Sequence, residues 1–404
     1  MNRTVKLAFA SAVLIVVVLA TFVGGFVVGH NLDTTDTLGA PTASTDMVDV
    51  LNDVYGMLQD QALEPPSETT ATAGIINGLL RSNGDRYARY IPPAEFKNWQ
   101  EETAGVFGGI GVVLGEKDGT VYVVEVYAGT PAARAGLKSG DYFFGVDGEE
   151  NESWSIEGIQ KRVKGEPGTD VKLTMLRPWP KNEMPDDPFA LGKKYTVTIT
   201  RDTIQVPIVN SEMKPGKVGW VELTDFNERS TTELAAAIKD LESQGATSLI
   251  LDLRNNPGGL LDQAVGVASL FIEKGTIVTV ESRTADPEIY RATGQKVTDL
   301  PLIVLVNENS ASASEIVSGA LQDYNRGKLL GVQTFGKGSV QTQQPLANGG
   351  IAVFTIAHYI TPKGQKINHV GLTPDIKVEM DVSLMEDPSK DTQLIRAIAE
   401  AKKL

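Results

Sequence analysis

Charge is absent from one long apolar segment near the N-terminus, which differs from everything after it. Residues 7–28 contain no charged side chain, and Arg3 and Lys6 precede them. As a helix rising 1.5 Å per residue, this segment would be about 33 Å long, enough for a bilayer core of roughly 30 Å. Basic residues before such a segment favour a cytoplasmic N-terminus and an extracytoplasmic remainder. We expect residues 1–30 to be a single transmembrane anchor; a cleaved signal peptide, leaving a secreted or periplasmic protein, is the alternative.

Residues 31–104 change from a polar to a helical pattern. Residues 31–45 are polar and without a period, which is typical of a tether. From residue 46 to 104, apolar positions recur at the three- and four-residue spacing of amphipathic helices, as in "MVDVLNDVYGML". We therefore predict an N-terminal helical region over residues 46–104.

A period of two begins at residue 105. The segments "TVYVVEV" and "KKYTVTIT" alternate apolar and polar positions as half-buried strands do, and an amphipathic helix, "SIEGIQKRVKG", lies between them. Residues 105–201 are therefore predicted to form a small β-rich domain.

From residue 202 to 382, strands come to alternate with helices. Continuous apolar strands such as "TSLILDL" and "PLIVLV" lie between amphipathic helices, which is typical of an α/β domain with a buried, largely parallel sheet. Residues 383–404 include the amphipathic stretch "DTQLIRAIAEAKK", which predicts a C-terminal helix. The predicted fold class is therefore α/β with several domains.

Composition narrows the chemistry that these domains could perform. The chain has 404 residues, a net charge of −14, no cysteine and three histidines, His30, His358 and His369. The acidic balance argues against nucleic acid as a partner. Thiol catalysis is excluded, and no group of His, Asp and Glu has the spacing of a metal site, so we predict neither a metal nor a cofactor.

A serine-rich turn before a helix is the first candidate for chemistry. Five serines crowd this region: Ser310, Ser312, Ser314, Ser318 and Ser339. At a strand-to-helix turn the next residue's N–H can point at a developing oxyanion, and both Ser312 and Ser314 fit that place. The spacing of Ser312 and Glu315 equally fits a capping box, in which the serine only begins a helix.

A lysine between two glycines is the second candidate. Lys337 could activate a serine hydroxyl without histidine, provided that burial or nearby positive charge lowers its pKa. Gln341 follows four residues later and would face the same side of an extended strand. A surface lysine in a glycine turn and a strand-edge glutamine explain the same residues, so local pattern leaves both interpretations open.

Six motifs, in this order, resemble those of the C-terminal processing peptidases, or tail-specific proteases. They are "GIGV", "AGTPAARAGLKSGD", "LDLRNNPGG", "NSASASEI", "FGKGSVQ" and "GLTPDIKV". The resemblance runs from about residue 46 to the end. It implies an N-terminal helical segment, a PDZ domain and an α/β serine-protease core related to the crotonase-like layered fold. The family has "DPYS" where Asp85 to Ala88 read "DRYA" here, a departure that we expect to affect a helix–loop contact rather than the chemistry.

The resemblance also implies roles for named residues in the core. It makes Ser312 the nucleophile, Lys337 the general base and Gln341 the residue that positions the lysine. It assigns the oxyanion hole to backbone N–H groups of Ala313 and of a glycine in "LDLRNNPGG", without choosing between Gly258 and Gly259. In the same motif, Asp252 and Arg254 are expected to form a structural ion pair or to position the loop.

In the PDZ domain the resemblance implies a groove that receives a peptide's C-terminal end as an added strand. The carboxylate loop would be Gly109, Ile110, Gly111 and Val112, and the helix residues lining the groove would be Ile159 and Val163. The alternative for the two glycines is that they only permit a tight turn.

Together these features predict a membrane-anchored, extracytoplasmic serine endopeptidase. Its partners would be protein substrates with free, unstructured, apolar C-termini, and the membrane through the N-terminal helix; homo-oligomer formation is left open. Two other classes remain as alternatives: a catalytically inert PDZ adaptor that binds peptides, and a carrier of lipophilic ligands.

Overall fold

The computed structural model describes residues 44–96, 106–117, 119–151, 154–179, 192–381, 384–385 and 389–404. The chain divides into two compact units, residues 1–72 and 73–404. The predicted anchor at residues 7–28 lies outside the described residues, so it stays a prediction of the sequence. Within the ranges just given, no helix is both long enough and apolar enough to cross a bilayer.

Two helices open the described chain, α1 (Thr45–Gln61) and α2 (Glu68–Arg81), and the boundary between the units falls inside α2. The Ser44 hydroxyl caps α1 by accepting a hydrogen bond from the Met47 N–H at 3.2 Å. The helical prediction for residues 46–104 holds for these two segments. It is wrong for β1 (Arg89–Ile91), an antiparallel partner of a strand more than 250 residues away in sequence.

A small β module follows, with a five-stranded antiparallel path at its centre. Its strands are β2 (Val106–Gly109), β3 (Val112–Lys117), β4 (Thr120–Val126), β5 (Tyr142–Val146), β6 (Glu149–Glu150), β7 (Asp170–Arg177), β8 (Lys193–Thr200) and β9 (Asp202–Gln205). Its helices are α3 (Pro131–Arg134) and α4 (Ile156–Val163). The path runs β3-β4-β5-β7-β8, with β6 beside β5 and with β2 paired to β9. Because β3 ends the path, no strand among the described residues covers its outer edge.

The rest of the second unit contains a six-stranded sheet in the order β10-β11-β12-β15-β16-β19. These strands are β10 (Val209–Lys214), β11 (Val218–Leu223), β12 (Ser248–Asp252), β15 (Leu302–Val306), β16 (Lys328–Gly331) and β19 (Ile376–Lys377). All neighbours are parallel except β10 and β11. Every residue of β12 and β15 is buried, as continuous apolar strands between helix layers require.

Helices cover both faces of this sheet. They are α5 (Ser230–Ser243), α6 (Leu261–Ser269), α7 (Ala313–Asp323) and α8 (Thr392–Ala401). Alternate residues of β12 serve the two faces: Leu249 and Leu251 join the core formed with α5, α6 and α7, whereas Ile250 packs with Leu394 of α8. The predicted α/β fold and C-terminal helix are confirmed by this arrangement.

A second sheet, which is antiparallel, holds several residues that line the cavity described below. It contains β1, β13 (Thr276–Ser282), β14 (Glu288–Arg291), β17 (Ser339–Pro345) and β18 (Ile351–Ile360), with the path β1-β18-β13-β14 and β17 also paired to β18. The β17–β18 register shifts between Val340 and Gln341. This shift matters below because it changes the direction of the residues around it.

A buried charge cluster ties α8 to the end of β12. The Arg254 guanidinium donates to both oxygens of Asp252 at 2.9 and 2.7 Å, and to both oxygens of Asp391 at 2.9 Å. Asp391 also accepts from the Leu394 N–H at 2.8 Å and so begins α8. All three charged side chains are at most 3 % exposed. Asp252 and Arg254 therefore form the structural ion pair that the sequence predicts.

Replacing Arg254 with methionine would leave the carboxylates of Asp252 and Asp391 buried together without a cation. We expect the free energy of unfolding, measured by urea denaturation at neutral pH, to fall by about 3–5 kcal/mol. Arg396→Met is the matched control, since it removes an exposed arginine from a partly exposed pair with Glu400 and should change stability little. Equal losses in the two variants would contradict the role of the buried cluster.

Candidate active site

Ser312 lies at the turn between β15 and α7, immediately before the first residue of the helix. Its backbone has φ +53° and ψ −112°, an uncommon conformation for a residue with a side chain. The residue is 7 % exposed, so its hydroxyl is nearly withdrawn from solvent. Backbone outliers of this kind persist only where the surroundings enforce them, and they cluster at functional sites.

The surroundings that enforce this turn centre on Glu315, which is fully buried. One carboxylate oxygen accepts from the N–H groups of Ser312 and Lys337 at 3.0 and 2.9 Å. The other accepts from the Gly336 N–H at 2.8 Å and from the Thr334 hydroxyl at 2.5 Å. Burial raises the pKa of Glu315, and these four donors oppose that shift. Glu315 thus caps the start of α7 by accepting from the Ser312 N–H. It also links the turn at Ser312 to the segment that carries Lys337.

Lys337 lies in that segment, just before β17, and is half-buried. Its Nζ is 5.2 Å from the centroid of the Tyr87 ring, and it forms no ion pair with any residue that the structure describes. Burial lowers the pKa of Lys337, and the nearby Arg89 guanidinium lowers it further, against an opposing effect of Glu315. The environment therefore favours the neutral amine more than water does.

Ser312, Lys337 and Gln341 line one cavity of about 490 Å³, together with Gly259 and Tyr359. The structure therefore brings together the three residues that the resemblance assigns to catalysis, although 29 positions separate Ser312 from Gln341 in the sequence.

The expected pairing of Gln341 with Lys337 by strand geometry is not what the structure has. Lys337 precedes β17, and the register shift at Gln341 breaks the simple alternation between the two. The Gln341 side-chain N–H groups donate to the hydroxyls of Ser339 and Thr355, at 2.8 and 3.2 Å. The two residues meet at the cavity because of the bulge and the turn before it, and not because a strand aligns them.

The two glycines that the sequence could not separate differ in their backbone N–H groups. The Gly258 N–H donates to the side-chain oxygen of Asn256 at 2.9 Å. Gly259 lines the cavity, and a Cβ there would lie 2.2 Å from the Phe226 carbonyl oxygen, at φ +145°. Only glycine fits this backbone. Ala313 is the first residue of α7, so its N–H has no carbonyl partner within the helix.

Tyr359 is a member of the site that sequence reasoning missed. It is 5 % exposed on β18, and its phenol contacts the Ser312 side chain. Burial raises the pKa of Tyr359 to about 12, against an opposing effect of Ser312, so the phenol stays protonated at neutral pH. In the sequence it ends an apolar strand, where an aromatic residue is most simply interpreted as core.

The segment from Asp85 to Ala88 lies closer to the chemistry than we expected. Its Tyr87 ring faces Lys337, and the Thr355 N–H donates to Asp85 at 2.7 Å, which ties the segment to β18. The segment that contains the "DRYA" departure therefore lies beside Lys337 and β18, and the effect of the departure stays a prediction.

A second cavity, of about 260 Å³, lies in the β module beside β3 and α4. It is lined by five residues of the predicted peptide site, Gly109, Ile110, Gly111, Val112 and Val163. Ile159 is not among the lining residues. It is fully buried and packs in the module's own core with Phe143 and Leu173, while its neighbour Gln160 lines the groove.

Comparison with known families matches two parts of the chain. Residues 217–378 match the model of peptidase family S41, and residues 122–177 match a PDZ domain. The first range contains the cavity-lining serine, lysine and glutamine, and the second contains most of the β module.

Named relatives extend the similarity to most of the chain. Carboxy-terminal processing protease CtpA of Bacillus subtilis (strain 168) is 35 % identical over 383 residues, covering 94 % of this chain and 78 % of the relative. A carboxy-terminal-processing protease of Bartonella bacilliformis is 37 % identical over 334 residues, covering 81 % and 74 %. Among solved structures, the photosystem II D1 C-terminal processing protease has a TM-score of 0.50 and 28 % identity, covering 86 % of this chain and 96 % of that one.

Glu315→Gln tests the junction that Glu315 makes. Glutamine must turn an NH2 group toward two of the four donors, so we expect the free energy of unfolding to fall by about 2–3 kcal/mol. Hydrogen exchange at the Gly336 and Lys337 amides should become faster than in the parent. Glu400→Gln is the control, because this partly exposed carboxylate of α8 pairs with the exposed Arg396 and Lys403, and it should change neither measurement appreciably. Unchanged protection of both amides in Glu315→Gln would show that the junction does not hold this segment.

Proposed function

Because this chain belongs to the carboxy-terminal processing proteases of peptidase family S41, serine proteases with a PDZ domain, we propose that Ser312 and Lys337 perform the hydrolysis. The observation that carries this proposal is the shared cavity: a strained, nearly buried serine and a half-buried lysine with no counter-ion among the described residues line the same space. A serine next to a neutral amine is a recognised alternative to a serine–histidine pair.

The reaction follows from these two groups. The neutral amine of Lys337 accepts the Ser312 hydroxyl proton as Oγ attacks the scissile carbonyl carbon. The tetrahedral intermediate then collapses: the C–N bond breaks, the leaving amine receives the proton from Lys337, and an acyl-enzyme forms on Ser312. Water, deprotonated by the same amine, attacks the ester carbonyl carbon. The ester C–O bond then breaks, Ser312 Oγ takes the proton back from Lys337, and the new C-terminal carboxylate is released.

The oxyanion of the intermediate is held by the N–H groups of Gly259 and Ala313. Gly259 lines the cavity, and Ala313 begins α7, where the helix dipole also favours negative charge. Gly258 is the weaker choice because its N–H already donates to Asn256.

Gln341 and Tyr359 position the reacting groups. Since the Gln341 N–H groups donate to two hydroxyls, its side-chain oxygen is the atom suited to accept from the Lys337 ammonium. An amide does this without a negative charge, which would raise the lysine pKa. The protonated phenol of Tyr359 orients the Ser312 hydroxyl through their contact.

The groove beside β3 captures the substrate's C-terminal tail. An extended tail pairs with the open edge of β3, and the N–H groups around Gly111 receive its terminal carboxylate. Lys164, whose Nζ lies 4.9 Å from the centroid of the Phe107 ring in the same groove, adds positive charge there. Ile110 and Val163 favour an apolar last residue.

Ser312→Ala tests the nucleophile. With the purified full-length chain and an unstructured reporter that ends in an apolar residue, kcat/KM should fall by about 10⁴-fold or more. Ser318→Ala is the matched control, because Ser318 is a buried serine of the same helix whose hydroxyl has no partner among the described residues. It should keep the parent's activity.

Two outcomes would contradict the proposal. Cleavage by Ser312→Ala at the parent's rate would show that another group is the nucleophile. Equal cleavage of the reporter and of the same reporter with an amidated C-terminus would show that the groove does not read the tail's carboxylate.

The pH dependence tests Lys337 as the base. Only the neutral amine is active, so kcat/KM should rise with pH along a limb whose pKa lies below the 10.5 of an ordinary lysine, and activity is lost as the pH falls through it. Arg89→Gln should move the limb to higher pH, because it removes one of the two causes that lower the pKa. Arg89→Lys keeps the charge and should move it less. A limb that stays in place in Arg89→Gln would remove Arg89 from this role.

A further inference from the structure

Three arginines surround a cavity that adjoins the catalytic one. This cavity has a volume of about 360 Å³, and its lining includes Arg81, Arg86 and Arg89. Lys337 and Gln341 line both cavities, as does Arg89. In a chain with a net charge of −14, three arginines around one small space beside Lys337 are a pronounced local excess of positive charge.

Two of these arginines, Arg81 and Arg86, are held by neutral partners. The Arg81 Nε donates to the Ala88 carbonyl oxygen at 3.1 Å. Arg86 donates to the Tyr87 hydroxyl at 2.6 Å, and its guanidinium lies 4.8 and 5.5 Å from the ring centroids of Tyr87 and Phe335. Neither they nor Arg89 form an ion pair with any carboxylate in the part of the chain that the structure describes. Their positive charge is therefore available to a ligand.

The chemistry of the substrate limits what that ligand can be. An unmodified peptide carries negative charge at neutral pH only on carboxylates, and the planar guanidinium fork matches a carboxylate better than an ammonium group does. A chain whose scissile carbonyl lies at Ser312 brings its neighbouring residues past Lys337, and hence past Arg89.

We propose that the space between Arg81, Arg86 and Arg89 receives a carboxylate of the substrate near the scissile bond, and so gives this protease a preference for acid at one cleavage-site position. The proposal rests on the proposed function, because it takes Ser312 and Lys337 as the place where the bond is cut. The carboxylate comes from an Asp or Glu side chain or from a chain terminus that lies close to the bond.

Matched peptides test the preference and its source. In one series, a single aspartate or asparagine occupies each position around the scissile bond in turn, within the same unstructured sequence and apolar tail. In a second series without acidic side chains, the peptide ends at the preferred position as a carboxylate or an amide. We expect the acidic peptide to have about five- to tenfold higher kcat/KM at one position, and the preference to weaken as salt is added. The series that shows the preference identifies the source.

Variants of the arginines separate recognition from effects on the lysine. In Arg86→Gln and Arg89→Gln, the ratio of kcat/KM for the acidic peptide to that for the amide peptide should fall toward one. Because the same variant cuts both peptides, any change in the pKa of Lys337 affects both rates equally and cancels in the ratio. Arg86→Lys should retain part of the preference. Arg396→Gln removes an equal charge on α8 and should keep the parent's ratio. Thermal unfolding midpoints confirm that each variant is folded.

A ratio of one at every position in both series would overturn the proposal, as would a ratio unchanged in both Arg86→Gln and Arg89→Gln. Either result with cleavage still abolished by Ser312→Ala would leave the proposed function intact. Cleavage that persists in Ser312→Ala would instead remove the proposed function itself.

Discussion

The arrangement of Ser312 and Lys337 depends on one buried carboxylate, that of Glu315. It lies in the first turn of α7, where an acidic residue is already favoured, and binds backbone N–H groups on two segments that do not pair in a sheet. Without it, the left-handed φ of Ser312 and the turn at Gly336 would each need another source of restraint. A carboxylate can accept four hydrogen bonds at once, so no amide or hydroxyl at this position can replace all of its contacts.

The half-buried Lys337 lowers the stability of the fold at neutral pH. Half-burying an amine without a counter-ion lowers its pKa, so below the ordinary lysine pKa its protonation favours the unfolded state, and this penalty disappears as the pH rises. A nearby carboxylate would relieve the penalty but would raise the lysine pKa. Gln341 avoids this, because an amide oxygen is polar without being charged. A carboxylate beside Lys337 would therefore favour stability, whereas an amide such as that of Gln341 favours a neutral lysine.

Much of the core was predictable because its patterns are local. The fully buried strands β12 and β15, the amphipathic α8 and the glycine-flanked lysine can each be recognised within a dozen residues. Three features could not. Arg89 is in a strand only because β18 lies beside it, Ile159 packs in the core of the β module and not in the groove, and the bulge at Gln341 depends on pairing with β18. Each is decided by a distant partner, about which a local pattern carries no information.

The same reasoning explains why the arginine cluster was not recognised in the sequence. Arg81 ends a helix, where a basic residue is favoured, and Arg86 and Arg89 look like exposed loop positions. Their convergence follows from two anchors: Asp85 accepts from the backbone of β18, and β1 pairs with it so that Arg89 lies opposite Val353. Sheet pairing, and not a mobile loop, therefore sets the distance between these cations and Lys337. Charges placed this way can act on both the lysine and a bound chain, because neither action requires the segment to move.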